Sequence, residues 1–289
     1  MRSEQEMLTL ITTIAEQDER IRAVMLNGSR TNPTAKRDIF QDYDIVYFVT
    51  ELDAFIADAT WPHRFGEMMI MQLPEAMIDP PPMNDGHFAY LMQFMDGNRV
   101  DLTLFPLALM ANFRPESLSR MLLDKDGLFL GLPPATDSDY RPTPPTAKAF
   151  ADCCNEFWWV ATYVAKGLWR AELPYAKALL DGAMRDQLLK LLTWHIGVRT
   201  DFQQGPGKFG KALQRMLEPA LWTLVEQTYA GSDEASNWAA LLTMCDLFRQ
   251  TAVPLAARYG LPYPHDDDQR VSAHLRHVRA LPKTATSMY

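Results

Sequence analysis

The spacing of apolar positions changes character midway along the chain. Over residues 5–18, Met7, Leu8, Leu10, Ile11 and Ile14 recur at helical spacing and predict an amphipathic first helix. Residues 21–26 form a short apolar run ended by Asn27-Gly28-Ser29, which predicts a strand running into a turn. A polar loop over residues 30–41 leads to residues 42–49, whose β-branched and aromatic side chains predict a second strand. Apolar runs over 88–94 and 99–105 flank Asp96-Gly97-Asn98, a hairpin signal. Beyond a stretch with prolines at 133, 134, 142, 144 and 145, the period becomes three and four: Phe150, Cys154, Phe157, Ala161, Val164 and Leu168 predict one helix. Leu179, Met184, Leu188, Leu191 and Leu192 predict another, and Trp222–Val225 and 238–248 two more. No internal repeat or heptad run is present. The pattern predicts an α+β chain: a domain over 1–135 with a small mixed sheet and helices, a proline-rich linker over 136–146, and a helical bundle over 147–289.

Composition narrows the class. The chain has 289 residues, 47% of them hydrophobic and 22% charged, which excludes disordered and fibrous classes and allows two domains. No run approaches the length of a membrane span, and the N-terminal residues predict no signal peptide. Three cysteines, two of them adjacent at 153 and 154, make neither a disulfide framework nor a zinc spacing, so a reducing cytoplasm is expected. Residues 1–150 hold 13 basic and 22 acidic side chains, net −9, whereas residues 151–289 hold 15 and 14, net +1. An acidic half repels phosphate backbones, so no nucleic acid partner is expected. A divalent metal or a cationic small molecule suits that charge, and solubility alone also accounts for it.

Three features in the acidic half belong together. Asp42 and Asp44 are two apart at a strand start, so their side chains share one face and repel each other unless a cation intervenes. Asp101 lies in an apolar strand, where a carboxylate is costly unless it is paired or metal-bound. If the two strands are neighbours, the three carboxylates make one site for Mg²⁺, a hard cation held by carboxylates and substrate phosphates. Gly28 and Ser29 add a turn whose backbone N–H groups and hydroxyl can cradle anionic oxygens, and Arg30 is expected to fork onto the same phosphates. Neither a Walker loop nor a dinucleotide-binding glycine pattern is present. Each feature alone has a bland explanation, a turn, a solvated pair or a local cap; their order and spacing together are more specific.

The segments Leu26-Asn27-Gly28-Ser29-Arg30, Gln41-Asp42-Tyr43-Asp44-Ile45 and Gly97-Asn98-Arg99-Val100-Asp101-Leu102-Thr103-Leu104 resemble the nucleotidyltransferase superfamily signature. With Asn155-Glu156-Phe157-Trp158-Trp159-Val160, Tyr163-Val164-Ala165-Lys166-Gly167-Leu168, Gly207-Lys208 with Lys211, and Leu247-Phe248-Arg249, the chain resembles the aminoglycoside (streptomycin) 6-adenylyltransferase family from about residue 1 to about residue 275. The resemblance implies an N-terminal nucleotidyltransferase domain, a C-terminal helical domain and an active site between them. It also implies transfer of AMP from ATP to an antibiotic hydroxyl, with Mg²⁺ and release of pyrophosphate, conferring resistance. By position, Asp42, Asp44 and Asp101 match the catalytic metal-binding carboxylates, and Gly28 and Ser29 the phosphate turn. The region 80–88, with Pro80-Pro81-Pro82, and the tail after Pro282 depart from the pattern. A different small-molecule acceptor, or a catalytically silent nucleotide-binding module, is the alternative.

The acceptor side rests on one helical face. Asp152, Glu156, Trp159, Tyr163 and Lys166 recur at four, three, four and three, combining acid with aromatics in a way that suits a guanidinium or ammonium ligand such as streptomycin; a solvated face is the alternative. Asp181 and Glu172 are further acidic candidates on the next helix. Lys208 and Lys211, on a glycine-rich loop, are candidates for the β- and γ-phosphates or simply solvated surface lysines. His265-Asp266-Asp267-Asp268 reads as a solvated helix start, and Trp194 and His195 as core.

Overall fold

The computed structural model describes residues 1–33 and 35–289, which form two compact units, Met1–Asp139 and Tyr140–Tyr289. The architecture is α+β, with the sheet in the first unit and helices making up the second.

In the first unit, helix α1 (Glu4–Gln17) opens on a capping box in which Ser3 accepts from the Glu6 N–H and the Glu6 carboxylate accepts from the Ser3 N–H. Among the described residues six strands follow: β1 (Ile21–Asn27), β2 (Tyr43–Val49), β3 (Met68–Gln72), β4 (Phe88–Phe94), β5 (Arg99–Pro106) and β6 (Ser119–Asp124), with a short helix α2 (Leu52–Ala57) after β2. The sheet order is β3-β4-β5-β2-β1-β6; β2 and β5 pair in parallel and the other neighbours antiparallel. Side-chain alternation explains why β1 and β2 read as unbroken apolar runs. Val24, Leu26, Ile45 and Tyr47 face a core shared with Met7, Ile11 and Ile14 of α1 and with Trp61 and Phe65. Ala23, Met25, Val46 and Phe48 face the opposite layer, with Phe105, Phe113 and Phe129 against them. The central strands are therefore covered on both faces. Tyr47 on β2 donates its hydroxyl to the Ile11 carbonyl at 2.5 Å, tying α1 to the sheet.

Strands β3 and β6 fall outside the sequence pattern, because neither alternates. β3 is an edge strand with Met69 and Ile70 exposed, so no apolar face marks it. The second strand begins at Tyr43, one residue later than expected, which leaves Asp42 at its mouth.

In the second unit, α3 (Ala147–Trp169) is the spine, and Phe150, Cys154, Phe157, Ala161, Val164 and Leu168 are buried along it as the spacing predicts. The helix expected around 179–192 is instead a succession: α4 (Leu173–Ala178), a π-helical turn (Leu179–Met184) and α5 (Arg185–Arg199). Gly182, at φ −101° and ψ −107°, breaks the helical path there. α6 (Leu213–Met216), α7 (Pro219–Gln227), α8 (Glu234–Tyr259) and α9 (His265–Ala280) complete the unit. The ring of Phe157 on α3 stacks on Phe248 of α8 at 3.7 Å between centroids. Cys153, Cys154 and Cys245 are free and buried.

The start of α9 corrects the expectation for 265–268. Asp266 and Asp267 are exposed, but Asp268 is 5% exposed. It accepts from Arg249 at 2.6 and 2.5 Å, from the Tyr263 hydroxyl at 2.8 Å and from Ser272 at 3.0 Å. Burial is tolerated because the carboxylate is fully paired. His195 is half-buried rather than core, with Nε2 3.2 Å from Glu218. Among the described residues, no helix is long and apolar enough to cross a membrane.

Candidate active site

Parallel pairing of β2 with β5 sets Asp44 directly against Asp101 in register. Asp42, two residues before Asp44, projects to the same side, and all three carboxylates are half-buried. Each offers an oxygen within 4.8 Å of the others'. An all-oxygen, all-anionic set of this kind fits a hard divalent cation.

The electrostatics agree with that fit. Burial, with the charges of Asp42 and Asp101 added to it, pushes the Asp44 carboxyl up to about 7. Bringing these groups together is unfavourable without positive charge, and a bound cation reverses the sign of the effect.

The turn after β1 closes on the same carboxylate. Gly28 has φ +71°, and a methyl group on it would stand 2.2 Å from Asp44 Oδ2. Glycine is required here both for the left-handed backbone and for the close approach. Gly28 N–H donates to the Leu118 carbonyl at 3.0 Å, and the Gly28 carbonyl accepts from Thr31 N–H at 3.1 Å, so the turn is anchored on both sides. Half-buried Ser29 is held by the Gln41 amide, which lies 3.3 Å from its hydroxyl.

Arg30, expected to fork onto phosphate, is 8% exposed and its donors are engaged within the protein. Nε donates to the Asp42 carbonyl at 2.8 Å, one terminal nitrogen to the Gln41 carbonyl at 2.7 Å and the other to Glu4 at 3.2 Å. Its guanidinium also lies 3.7 Å from the Tyr43 ring centroid. Arg30 thus braces the backbone that presents Asp42.

Arg99, not among the residues expected from the sequence, stands beside these carboxylates. It forks onto Asp101, Nε to Oδ1 and the terminal nitrogen to Oδ2, both at 2.7 Å. The signal was available: Arg99 and Asp101 are two apart on one strand, the spacing that joins Asp42 to Asp44.

The remaining candidates lie in the helical unit. On α3, Asp152 and Glu156 are exposed, Trp159 is 58% exposed, and Tyr163 and Lys166 are half-buried. Trp159 Nε1 donates to the Tyr163 hydroxyl at 3.1 Å, and the Lys166 ammonium lies 4.6 Å from the Tyr163 ring. Lys148 pairs with Asp152. Among the described residues, Glu156 has no hydrogen-bond or ion-pair partner, which leaves its charge available. Asp181 differs: it lies 2.7 Å from Lys177 and 3.0 Å from Arg185, so its charge is already balanced within its own helical turn. Glu172 precedes α4 rather than lying on it. Lys208 and Lys211 are exposed beside Phe209, which is itself 84% exposed with φ +54°.

Residues 1–278 match the streptomycin adenylyltransferase family. An aminoglycoside 6-adenylyltransferase of Campylobacter jejuni is 39% identical over 270 residues, covering 93% of each chain. One of Bacillus subtilis is also 39% identical over 270 residues, covering 93% of this chain and 95% of its own. A crystal structure of an aminoglycoside 6-adenyltransferase from Bacillus subtilis, 35% identical, covers 97% of this chain and all of that one, with a TM-score of 0.48. The chain is a nucleotidyltransferase and belongs to the streptomycin adenylyltransferase family.

Proposed function

We propose that this protein transfers AMP from ATP to a hydroxyl of streptomycin, releasing pyrophosphate and so inactivating the antibiotic in the cytoplasm. The observation that carries the reading is the convergence of Asp42, Asp44 and Asp101 beside the Gly28 turn, in a chain whose relatives are aminoglycoside 6-adenylyltransferases.

The three aspartates would hold Mg²⁺. When bound, the cation would supply positive charge to offset that of the phosphates. The rest falls to the chain. The acceptor oxygen attacks the α-phosphorus, the bond to pyrophosphate breaks, and Asp101 takes the hydroxyl proton. Gly28 and Ser29 present a turn, without side-chain bulk at 28, to the triphosphate. Arg30 keeps Asp42 in place through its carbonyl. Lys208 and Lys211 are the further nucleotide contacts in this reading. Glu156, Trp159 and Tyr163 bind the cationic acceptor through one carboxylate and two rings. Most of the acceleration then comes from positioning and charge neutralisation.

The test is pyrophosphate release from ATP and Mg²⁺ with purified protein, with and without streptomycin. Release that depends on streptomycin supports the reading. Nucleotide binding with no release across a panel of aminoglycosides overturns it in favour of a silent nucleotide-binding module.

A further inference from the structure

Arg99 donates to both oxygens of Asp101, the same carboxylate that would share a cation with Asp42 and Asp44. Its side chain is 47% exposed, while that of Asp101 is 20% exposed, so the guanidinium can leave without opening the core. The fork is therefore a replaceable contact rather than a packed one. Arg99 also sits in the field of all three carboxylates and is the positive charge that partly offsets their effect on Asp44. A divalent cation arriving alone meets a carboxylate already neutralised by a guanidinium. A cation arriving with a polyphosphate brings anionic oxygens onto which that guanidinium can fork instead.

We propose that Arg99 is a movable counter-ion: it holds Asp101 in the metal-free protein and passes to phosphate oxygens of a nucleoside triphosphate when a divalent cation takes Asp101. This rests on the reading of the three aspartates as a cation site. The exchange makes metal and nucleotide binding cooperative, because each removes an obstacle to the other. It breaks no covalent bond and transfers no proton; one charge-assisted fork replaces another. Arg99 positions substrate in this scheme, while its partner Asp101 performs the chemistry.

The test is equilibrium binding with full-length protein and its Arg99→Gln, Arg99→Lys and Asp44→Asn variants, each checked by thermal unfolding. One probe is Mn²⁺ alone, read by electron paramagnetic resonance; the other is α,β-methylene-ATP with saturating Mg²⁺, read by calorimetry. Losing a charged fork is worth about one decade in affinity. Arg99→Gln is expected to bind Mn²⁺ alone about tenfold more tightly and the nucleotide analogue about tenfold more weakly. Arg99→Lys, which keeps the charge and loses the fork, is expected to fall between wild type and Arg99→Gln in both. Changes of the same sign in the two affinities, or no change in either, overturn the counter-ion. If wild type binds no Mn²⁺, or Asp44→Asn binds it as wild type does, the cation site itself is wrong and the counter-ion falls with it. If Asp44→Asn loses Mn²⁺ while Arg99→Gln changes nothing, the counter-ion alone is wrong.

Discussion

Gly28 and Asp44 are in contact across the mouth of the sheet, so close that a methyl group at 28 would stand 2.2 Å from Asp44 Oδ2. Both backbones are held: Gly28 is anchored to the Leu118 carbonyl, and the Asp44 backbone is paired with Asn27 on one side and Asp101 on the other. Gly28→Ala must therefore either displace the carboxylate or move the turn. The left-handed backbone adds about 1–3 kcal/mol of strain. Transfer to streptomycin is expected to fall at least about a hundredfold, since displacements near 1 Å suffice for that. Steady-state kinetics together with a melting curve measure both effects. Near-normal turnover by a folded Gly28→Ala protein contradicts the placement of this turn at the site.

Asp44→Asn separates catalysis from stability. The folded protein holds the Asp44 carboxyl up at about 7, against 3.8 for the ordinary group. A carboxyl raised on folding binds its proton more tightly in the native state, so its contribution to stability is present at low pH and is lost as pH rises from about 4 to about 7. Wild type without metal is thus expected to lose stability relative to Asp44→Asn across that interval, with the variant melting higher at pH 8 in chelator. Magnesium should raise the wild-type melting temperature at pH 8 and leave the variant unmoved, while the variant loses transfer. Parallel pH profiles for the two proteins in chelator would show that burial and neighbouring charge do not act on Asp44 in this way.

What the residue pattern made legible follows from which interactions are local. Asp42 and Asp44 were readable as a pair because two residues along a strand return to the same face, and β4–β5 because a glycine turn joins two apolar runs. That β5 lies beside β2 is a long-range fact with no local mark; the isolated charge of Asp101 in an apolar run was its one trace. β6 pairs with β1 across some ninety residues, and its mixed residues carry no alternation. Arg30 has partners that its local sequence does not announce. A basic residue after a glycine-serine turn suggests phosphate, yet the Asp42 and Gln41 carbonyls claim its donors first. Asp268 looked solvated because its neighbours Asp266 and Asp267 are; its partners Arg249 and Tyr263 come from outside that run.

Asp268 therefore carries a stability prediction in the helical unit. Its hydrogen bonds from Arg249, Tyr263 and Ser272 outweigh burial and hold its carboxyl below 3.8. A group depressed on folding contributes stability above its ordinary value and loses it as pH falls below about 4. Asp268→Ala leaves the Tyr263 hydroxyl and the inner side of Arg249 without that acceptor. Arg249 is 36% exposed and keeps Asp246 at 2.8 Å, which softens the loss. The expected cost is about 2–3 kcal/mol at neutral pH, below the roughly 3–5 kcal/mol for breaking a fully buried pair. Denaturant unfolding followed by tryptophan fluorescence suits the measurement, because the Arg249 guanidinium lies 5.6 Å from the Trp158 ring. An unchanged midpoint would make the network dispensable.

Glu156 tests the acceptor side. On α3 it lies one helical turn before Trp159 and two before Tyr163, and among the described residues it has no internal partner, whereas Asp152 and Asp181 are both paired. A carboxylate left open beside two rings attracts a guanidinium, and being exposed it does so with the modest strength of a surface pair. Glu156→Gln keeps the shape and removes the charge. The KM for streptomycin is expected to rise about threefold to tenfold, with the KM for ATP and kcat close to wild type, because the interaction is made equally in the ground and transition states. The rise should shrink in high salt, where exposed charges are screened. Trp159→Ala should raise the same KM without that salt dependence, since a ring contributes area as well as charge attraction. If Glu156→Gln shifts both KM values equally, the residue supports α3 and does not meet the acceptor.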